Sequence, residues 1–597
     1  MFLILAFQDR APVQPDLEVT PAMAVGKLPV TVMRVIAKGA ALHGANGINF
    51  GPDGNLYIAS VPGREIVVMN PRNGRIMTRL RPDDGVEGPD DLVFGPDGSL
   101  YWTEILMGNV GRMTPEWVVT KQFVAPGVNP ISFSPDGRLF VGLCFLGDGL
   151  YELAPDLTEP PRPIIVATPE NPYPLNFMNG FAFGPDGRLY GPIFTQGMVV
   201  SVDVDVDSCH EASTPWEDCD LRLVATEFTV PAAVKFDSQG RLHVVDAGTG
   251  EVLQVDISTG AKTVVARPGP GLDNLAFDSR GDLYVSNFEN GSITRILPGG
   301  QGRTLSPGGM VFPGGVAVLQ GPDGRESVFV ANTFTLDEFI GLTGKQVNIT
   351  SGHLFGEGLL TTPLTVSADG DNLIISSWFG HAVQVWDPRA GQVLEHYPMP
   401  VPLNAIRFQD DIVVADLGLG GVVWASNHEM ILPMDEASVF LPAGLATDGE
   451  VLWVADWATG MVWQILFEGR TPLDAGPVPV AFDLVNPEGL AVDVDGSLLV
   501  VEAGARRLSR IDLTNGTVKA VVEGLELGAE APPGLPPTWG FNGVAVGPSG
   551  AIYITGDVAN VLYRIWPRKG LAPFAAPGRQ QVHDRASCRR HWRVATA

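Results

Sequence analysis

Along most of the chain, apolar and polar residues alternate over short runs that stop at Gly, Pro, Asp or Asn. A period of two marks half-buried strands, and stretches with the 3.6-residue period of a helix are few. The pattern predicts an all-β protein. Its clearest element is the run Phe50-Gly51-Pro52-Asp53-Gly54 before NLYIAS, which returns as FGPDG at Phe94 before SLYWTE and at Phe183 before RLYGPI. Looser versions begin at Ser134, Asp237, Asp278, Gly321, Ser367, Phe408, Ala446, Asp493 and Gly547, which makes twelve units spaced 38 to 54 residues apart.

Each unit reads the same way. An apolar strand enters a Pro-Asp-Gly turn, where Asp and Gly supply the backbone angles of a tight hairpin. A second strand returns, a Gly-containing loop leads to a third, and a more variable fourth strand, such as TVMRVIAKG at Thr31, precedes the next unit. Four antiparallel strands in about 40–50 residues are the dimensions of one β-propeller blade. Twelve blades exceed one ring, so two tandem six-bladed β-propellers are expected over 24–305 and 306–578, with the seam in GGQGRTLSPGG at Gly299 to Gly309. A seven-plus-five split is the alternative. The basic tail at 579–597 is expected to be disordered.

The units resemble NHL repeats and the regucalcin/gluconolactonase (SMP-30/paraoxonase-type) and streptogramin-lyase propellers, whose strands carry (N/P)G(I/L)AF-x-PDG-x-LYV-x-(D/N) wording. The resemblance runs from about Asn46 to Trp566. It is specific for architecture and weak for activity, since one fold hosts many functions.

Chemistry is expected where innermost strands open around a channel mouth. In the first half these openings are Asn46-Gly47, Asp90-Asp91, Asn129-Pro130, Asn179-Gly180, Ala232-Ala233 and Asp273-Asn274. Hard oxygens from several amides and one or two carboxylates suit Ca2+. FMNG at Phe177 and LDN at Leu272 are similar to signatures of the paraoxonase, squid phosphatase and regucalcin families, and that resemblance implies Asn129, Asn179, Asp273 and Asn274 as ligands of a divalent cation. Those families open the first blade with Glu, where this chain has Asn46; Asp91 or Glu104 would supply the missing charge. His43 in LHGANG is the candidate base, since water attacking a polarised carbonyl needs one. The alternative is that these Asn and Asp residues cap loops through backbone hydrogen bonds.

The second half opens its innermost strands with Gly314, Leu364, Asn404, Gly444, Glu488 and Asn542, too few oxygens for a cage. Trp378, His381, Asp456 and Glu488 there suit an organic ligand, and the channel resembles streptogramin lyases. Trp457, Asp416 and Glu502 are further rim residues in this half, as Asp246 and Asn287 are in the first; ordinary packing between blades is the competing role for Trp457.

Composition narrows the partners. A formal net charge of −28 repels phosphate backbones and anionic lipid, so nucleic-acid and membrane roles are not expected. No apolar run approaches a membrane span, and Met1 to Phe7 lacks the basic flank of a signal peptide, so a cytoplasmic location is favoured with export left open. Four cysteines exclude a disulfide framework; Cys209 and Cys219 either close a small loop or remain free thiols. Asp203, Asp205 and Asp207 alternate on one strand face and lack the calcium-loop pattern. The function expected is a metal-dependent hydrolase of the lactonase/esterase type acting on a small molecule. The alternatives are a non-enzymatic NHL-type binding module and a streptogramin-lyase-like lyase.

Overall fold

The computed structural model describes residues 32–566, apart from 322, 355, 357, 436–438 and 474–475. Met1 to Phe7 and the tail at 579–597 lie outside the described residues. Within them the chain forms twelve four-stranded antiparallel sheets and one two-stranded ribbon, with a single helical turn at Pro215–Asp218 and two 3-10 turns. The protein is all-β and built of β-propeller repeats. Among the described residues no helix is long and apolar enough to cross a membrane.

The repeated turn explains the hairpins. In sheet 1 the strands Ile48–Phe50 and Leu56–Ser60 meet at Gly51 to Gly54. Gly54 takes φ +73°, which L side chains avoid, and the Asp53 carboxylate accepts the Asn55 N–H at 3.0 Å.

The Phe and Tyr of the motif join one sheet to the next. Edge-on or tilted ring pairs Tyr57–Phe94, Tyr101–Phe133, Phe140–Phe183, Tyr190–Phe236 and His243–Phe277 link sheets 1 to 6 in order at 4.9–5.2 Å. A sixth pair, Phe50–Tyr284 at 5.0 Å, joins sheet 6 (Leu272–Phe277 to Gly302–Ser306) back to sheet 1. Such pairs add to ordinary burial because the positive ring edge meets a negative face.

Sheets 7 to 12 carry the second half. Their innermost strands together line a cavity of about 330 Å3, and Val316–Gln320 of sheet 7 packs against Val544–Val546 of sheet 12. Sheet 12 is completed by the strand Val32–Lys38, paired with Val561–Trp566 from Val32↔Trp566 to Lys38↔Val561. A boundary at 24 puts this strand with the first half, whereas its hydrogen bonds put it with the second. The reason is that Val561–Trp566 would otherwise be a bare edge, and the first half already has four strands in every sheet.

The halves meet through an apolar cluster in which Val61 and Ile105 pack with Trp378, Leu403, Leu441 and Trp539. Arg64 adds an ion pair to Glu87 at 2.6 Å and reaches Glu530 of the second half at 3.2 Å.

Candidate functional site

Strand alternation sends two neighbouring polar residues to opposite faces, which matters at Asp90-Asp91 and Asp273-Asn274 in the first half. Asp91 is tied down: its carboxylate accepts the Leu92 N–H at 2.9 Å, the Ile131 N–H of sheet 3 at 3.3 Å and the Asn274 amide of sheet 6 at 3.3 Å. Asn129 donates to Asn179 Oδ1 at 3.1 Å, and the same oxygen takes the Gly180 N–H at 2.9 Å. Asn274 Oδ1 is used by the Leu275 N–H at 2.8 Å. Among the described residues, the Asp90 and Asp273 carboxylates accept no hydrogen bond. Asp273 keeps some accessible surface, whereas its strand neighbours Leu272 and Asn274 are buried.

These carboxylates are held against their charge. Burial, then repulsion from Asp91, pushes Asp90 up to about 7. Burial, then Asp90 and Asp91, raises Asp273 well above the carboxylate range. Burial also raises Asp91, and the Lys235 ammonium of sheet 5 is the largest opposing influence. A cation beside Asp90 and Asp273 would relieve that repulsion. Among the described residues no three His, Cys, Asp or Glu side chains gather as a metal-holding group. The fit to a hard cation therefore rests on two carboxylates and neighbouring amide oxygens, with Asn129 better placed than Asn179 or Asn274, whose oxygens are taken.

The other two residues expected in the first site lie elsewhere. Glu104 is fully buried and accepts from the Glu87 N–H at 3.0 Å, Trp102 Nε1 at 3.0 Å and Asn109 Nδ2 at 3.2 Å, and it pairs with Lys121 at 2.5 Å. His43 sits at the seam between halves. Its Nε2 meets the Asp557 carbonyl at 2.9 Å and its ring packs on the edge of Phe312 at 5.6 Å. Burial lowers its pKa, and among the described residues Nδ1 has no partner.

Glu104 belongs to a recurring device. A carboxylate at or just after the end of a second strand grips the backbone that enters the same sheet. Asp246 takes the N–H groups of Thr229 and Val230 at 2.8 and 2.9 Å, Asp416 takes Val401 at 3.2 Å, and Glu502 takes Val485 at 3.1 Å. Asp456 does the same with Phe440 and Leu441 at 2.8 and 3.0 Å, and its Oδ1 also takes Ala458. These are loop clasps, whose acidic side chains satisfy otherwise orphaned donors. Asn287 reverses the role, donating to the Pro270 carbonyl at 2.6 Å.

The four residues expected in the second half have different surroundings. Glu488 is fully buried, accepts the Asn542 N–H at 2.6 Å and is raised well above its ordinary value by burial and then by Asp557. Trp378 donates to the Trp539 carbonyl at 2.7 Å and stacks on that indole at 5.4 Å. His381 is exposed and its Nδ1 lies 2.6 Å from the Pro400 carbonyl, while Asp456 is a clasp. Both tryptophans belong to the apolar cluster through which the two halves meet. Asp203, Asp205 and Asp207 lie in a turn after the strand Met198–Val202, not on a strand face, and Asp205 pairs with Arg138 at 2.6 Å. Cys209 and Cys219 form a disulfide.

Sequence reasoning named Asp91 where Asp90 is the unpartnered carboxylate, and overlooked Lys235 and Asp557. The Asp-Asp doublet signalled that one of the pair faces inward, but the choice depends on register. Nothing local marks Lys235.

No curated protein matches this chain. Among solved structures, a streptogramin B lyase is similar at 16% identity and a TM-score of 0.35, covering 51% of this chain and 95% of that one. A luciferin-regenerating enzyme is similar at 16% identity and a TM-score of 0.34, covering 44% and 89%. The extracellular domain of a protein assigned to a hybrid two component system of B. thetaiotaomicron covers 90% of this chain and 83% of that one, at 11% identity and a TM-score of 0.30. The family model described as SMP-30/Gluconolactonase/LRE-like region matches residues 87–307, a span that contains Asp90, Asn129, Asn179 and Asp273.

Proposed function

We propose that the first half is a six-bladed β-propeller that hydrolyses a small lactone or ester with the help of a divalent cation, Ca2+ being the best match. The second half is a six-bladed ring closed by Val32–Lys38 and serves as a scaffold. The aromatic chain that returns from Tyr284 to Phe50 supports the first ring, and the cavity bordered by six innermost strands supports the second.

One observation carries the reading. Asp90 and Asp273, from sheets 2 and 6, are both enclosed, Asp90 raises Asp273, and among the described residues neither carboxylate accepts a hydrogen bond. Buried carboxylates in that state call for a counter-charge. Asp90, Asp273 and Asn129 would hold the cation. When bound, it would polarise a carbonyl oxygen as a Lewis acid. The Asn129–Asn179 pair would orient the substrate's polar end, and Asp91, tied to sheets 3 and 6, keeps the openings in place. His43 has no part in this site.

Elemental analysis of purified protein, with hydrolysis assays on lactones and aryl esters with and without chelator, tests the proposal. Bound calcium and activity lost with it are expected, and Asp273→Asn should lose both. Metal-free protein that is indifferent to chelator and added Ca2+ would overturn the reading. The alternative of a lyase in the second half is weakened because Trp378, expected at its site, packs with Trp539 in the apolar cluster between the halves.

A further inference from the structure

Beside the first site, three chain segments bring aromatic rings together. Phe145 meets Phe194 at 5.2 Å, Phe194 stacks over Phe177 at 6.4 Å, and Phe177 touches Tyr173 at 5.0 Å. None is fully buried: the three phenylalanines keep partial exposure and Tyr173 is 51% exposed. The apolar surface that Phe177, Phe194 and Tyr173 leave partly open to water is unusual for a folded chain and marks a place where something binds.

The backbone adds an independent sign. Phe145 and Phe177 stand at φ 64° and 63°, in the left-handed region that glycine or asparagine enters easily and a bulky side chain does not. Strain of this kind is tolerated where it positions a group for use. The Phe177 ring stays half-exposed at this cost, and the Phe145 ring meets the apolar cluster with only part of its surface.

The row also has a direction. Phe177 lies two residues before Asn179, and the Cys144 thiol, next to Phe145, reaches the Phe177 carbonyl at 3.8 Å. That thiol is raised chiefly by burial and then by Asp90, Asp148 and Asp273, so the inner end of the row lies within the field of the carboxylates. At its other side Phe145 packs against the cluster shared by the two halves.

We propose that Phe145, Phe177, Phe194 and Tyr173 form a binding rail for the apolar part of the first site's substrate, which is then a lactone or ester bearing an aryl or alkyl group. This substrate class rests on the hydrolase reading above; the rail itself does not. An aromatic face holds an apolar ring through offset or edge contacts, and its place next to the carboxylates leaves the polar end of the same molecule at the site.

The test uses the full chain and 2-naphthol as a fluorescent probe of the rail. Wild type should bind it, and Phe177→Asn and Phe194→Ala should weaken binding roughly threefold to tenfold. Phe177→Asn suits the left-handed backbone, so its melting temperature should hold or rise while the probe is lost. In hydrolysis, both variants should raise KM for a phenyl-substituted butyrolactone by a similar factor, leaving kcat and the KM of plain butyrolactone unchanged. A wild type that ignores the probe, or variants that bind it as well as wild type does, would overturn the rail whatever the catalysis. Probe binding that depends on the rail, in a protein that turns over no lactone or ester, would keep the rail and overturn the hydrolase reading. An equal rise in KM for both lactones would make these residues structural and also overturn the rail.

Discussion

Phe50 and Tyr284 meet edge-on at 5.0 Å, although one opens the first sheet of the first half and the other lies in its last. Tyr284 is wholly buried, its hydroxyl has no partner among the described residues, and Arg295 lies 5.9 Å from its ring. Tyr284→Ala should therefore cost about 3–5 kcal/mol by opening a cavity at the closure. Tyr284→Phe, which only removes an unsatisfied hydroxyl, should be neutral or stabilising. Denaturant unfolding of the two variants separates these effects; equal losses would mean the hydroxyl is paired and the ring contact incidental.

The strand Val32–Lys38 completes sheet 12, so cutting the chain between the halves is not symmetrical. A chain ending near Ser306 and lacking residues before Lys38 should fold cooperatively. A chain starting near Gly302 should expose the edge of Val561–Trp566 and aggregate. Joining residues 32–38 behind Trp566 through a flexible linker should rescue it, as read by cooperative thermal melting. Good folding of the second half without that strand would contradict the pairing.

Asp337 is buried and lifted to about 7, mainly by loss of solvent and also by Glu289, with Thr335 opposing. A carboxylate raised on folding binds more protons in the folded state, so its contribution to stability falls as pH climbs from about 4 to 7. At the upper limit this amounts to about 4 kcal/mol. Asp337→Asn should flatten the fall. Urea midpoints of variant and wild type at pH 4.5 and 7.5 measure it, and parallel pH profiles would show that Asp337 does not titrate in this window.

If the first site holds a cation, chelation should lower the melting temperature of the first half alone. Metal at a hundredfold excess over Kd adds about 2.7 kcal/mol. Asp273→Asn should melt like chelated wild type and no longer respond to chelator. A chelator response that survives Asp273→Asn would move the cation to another site.

The disulfide between Cys209 and Cys219 closes a short loop beside the strand Arg222–Ala225. Non-reducing peptide mapping of protein from an oxidising compartment should find the two linked. Replacing both by Ser should cost about 2–3 kcal/mol, as the entropy of a short loop suggests. Free thiols at both positions in such protein would contradict the pairing.

The one-dimensional pattern by itself determined the all-β class, the number of repeats and the hairpin turns. Alternation and Pro-Asp-Gly turns are local: the backbone angles of Gly54 follow from residues within one turn. It also told which openings carry oxygen, because Asn129, Asn179 and Asp273 stand at or just before the first strand of a readable repeat. Contacts distant in sequence decided the rest. Whether Asp90 or Asp91 stays unpartnered depends on donors from Ile131 and Asn274, two sheets that no local window contains. The rim carboxylates Asp416, Asp456 and Glu502 look like ligands in a string of letters; only the fold shows their oxygens turned to backbone N–H groups. The same holds for His43, drawn to the Asp557 carbonyl, and for Val32–Lys38, which pairs with the far end of the chain. A strand or a side chain finds its partner by the free energy of closing an edge or satisfying a buried group. That partner is set by where the sheets come to rest, not by distance along the sequence.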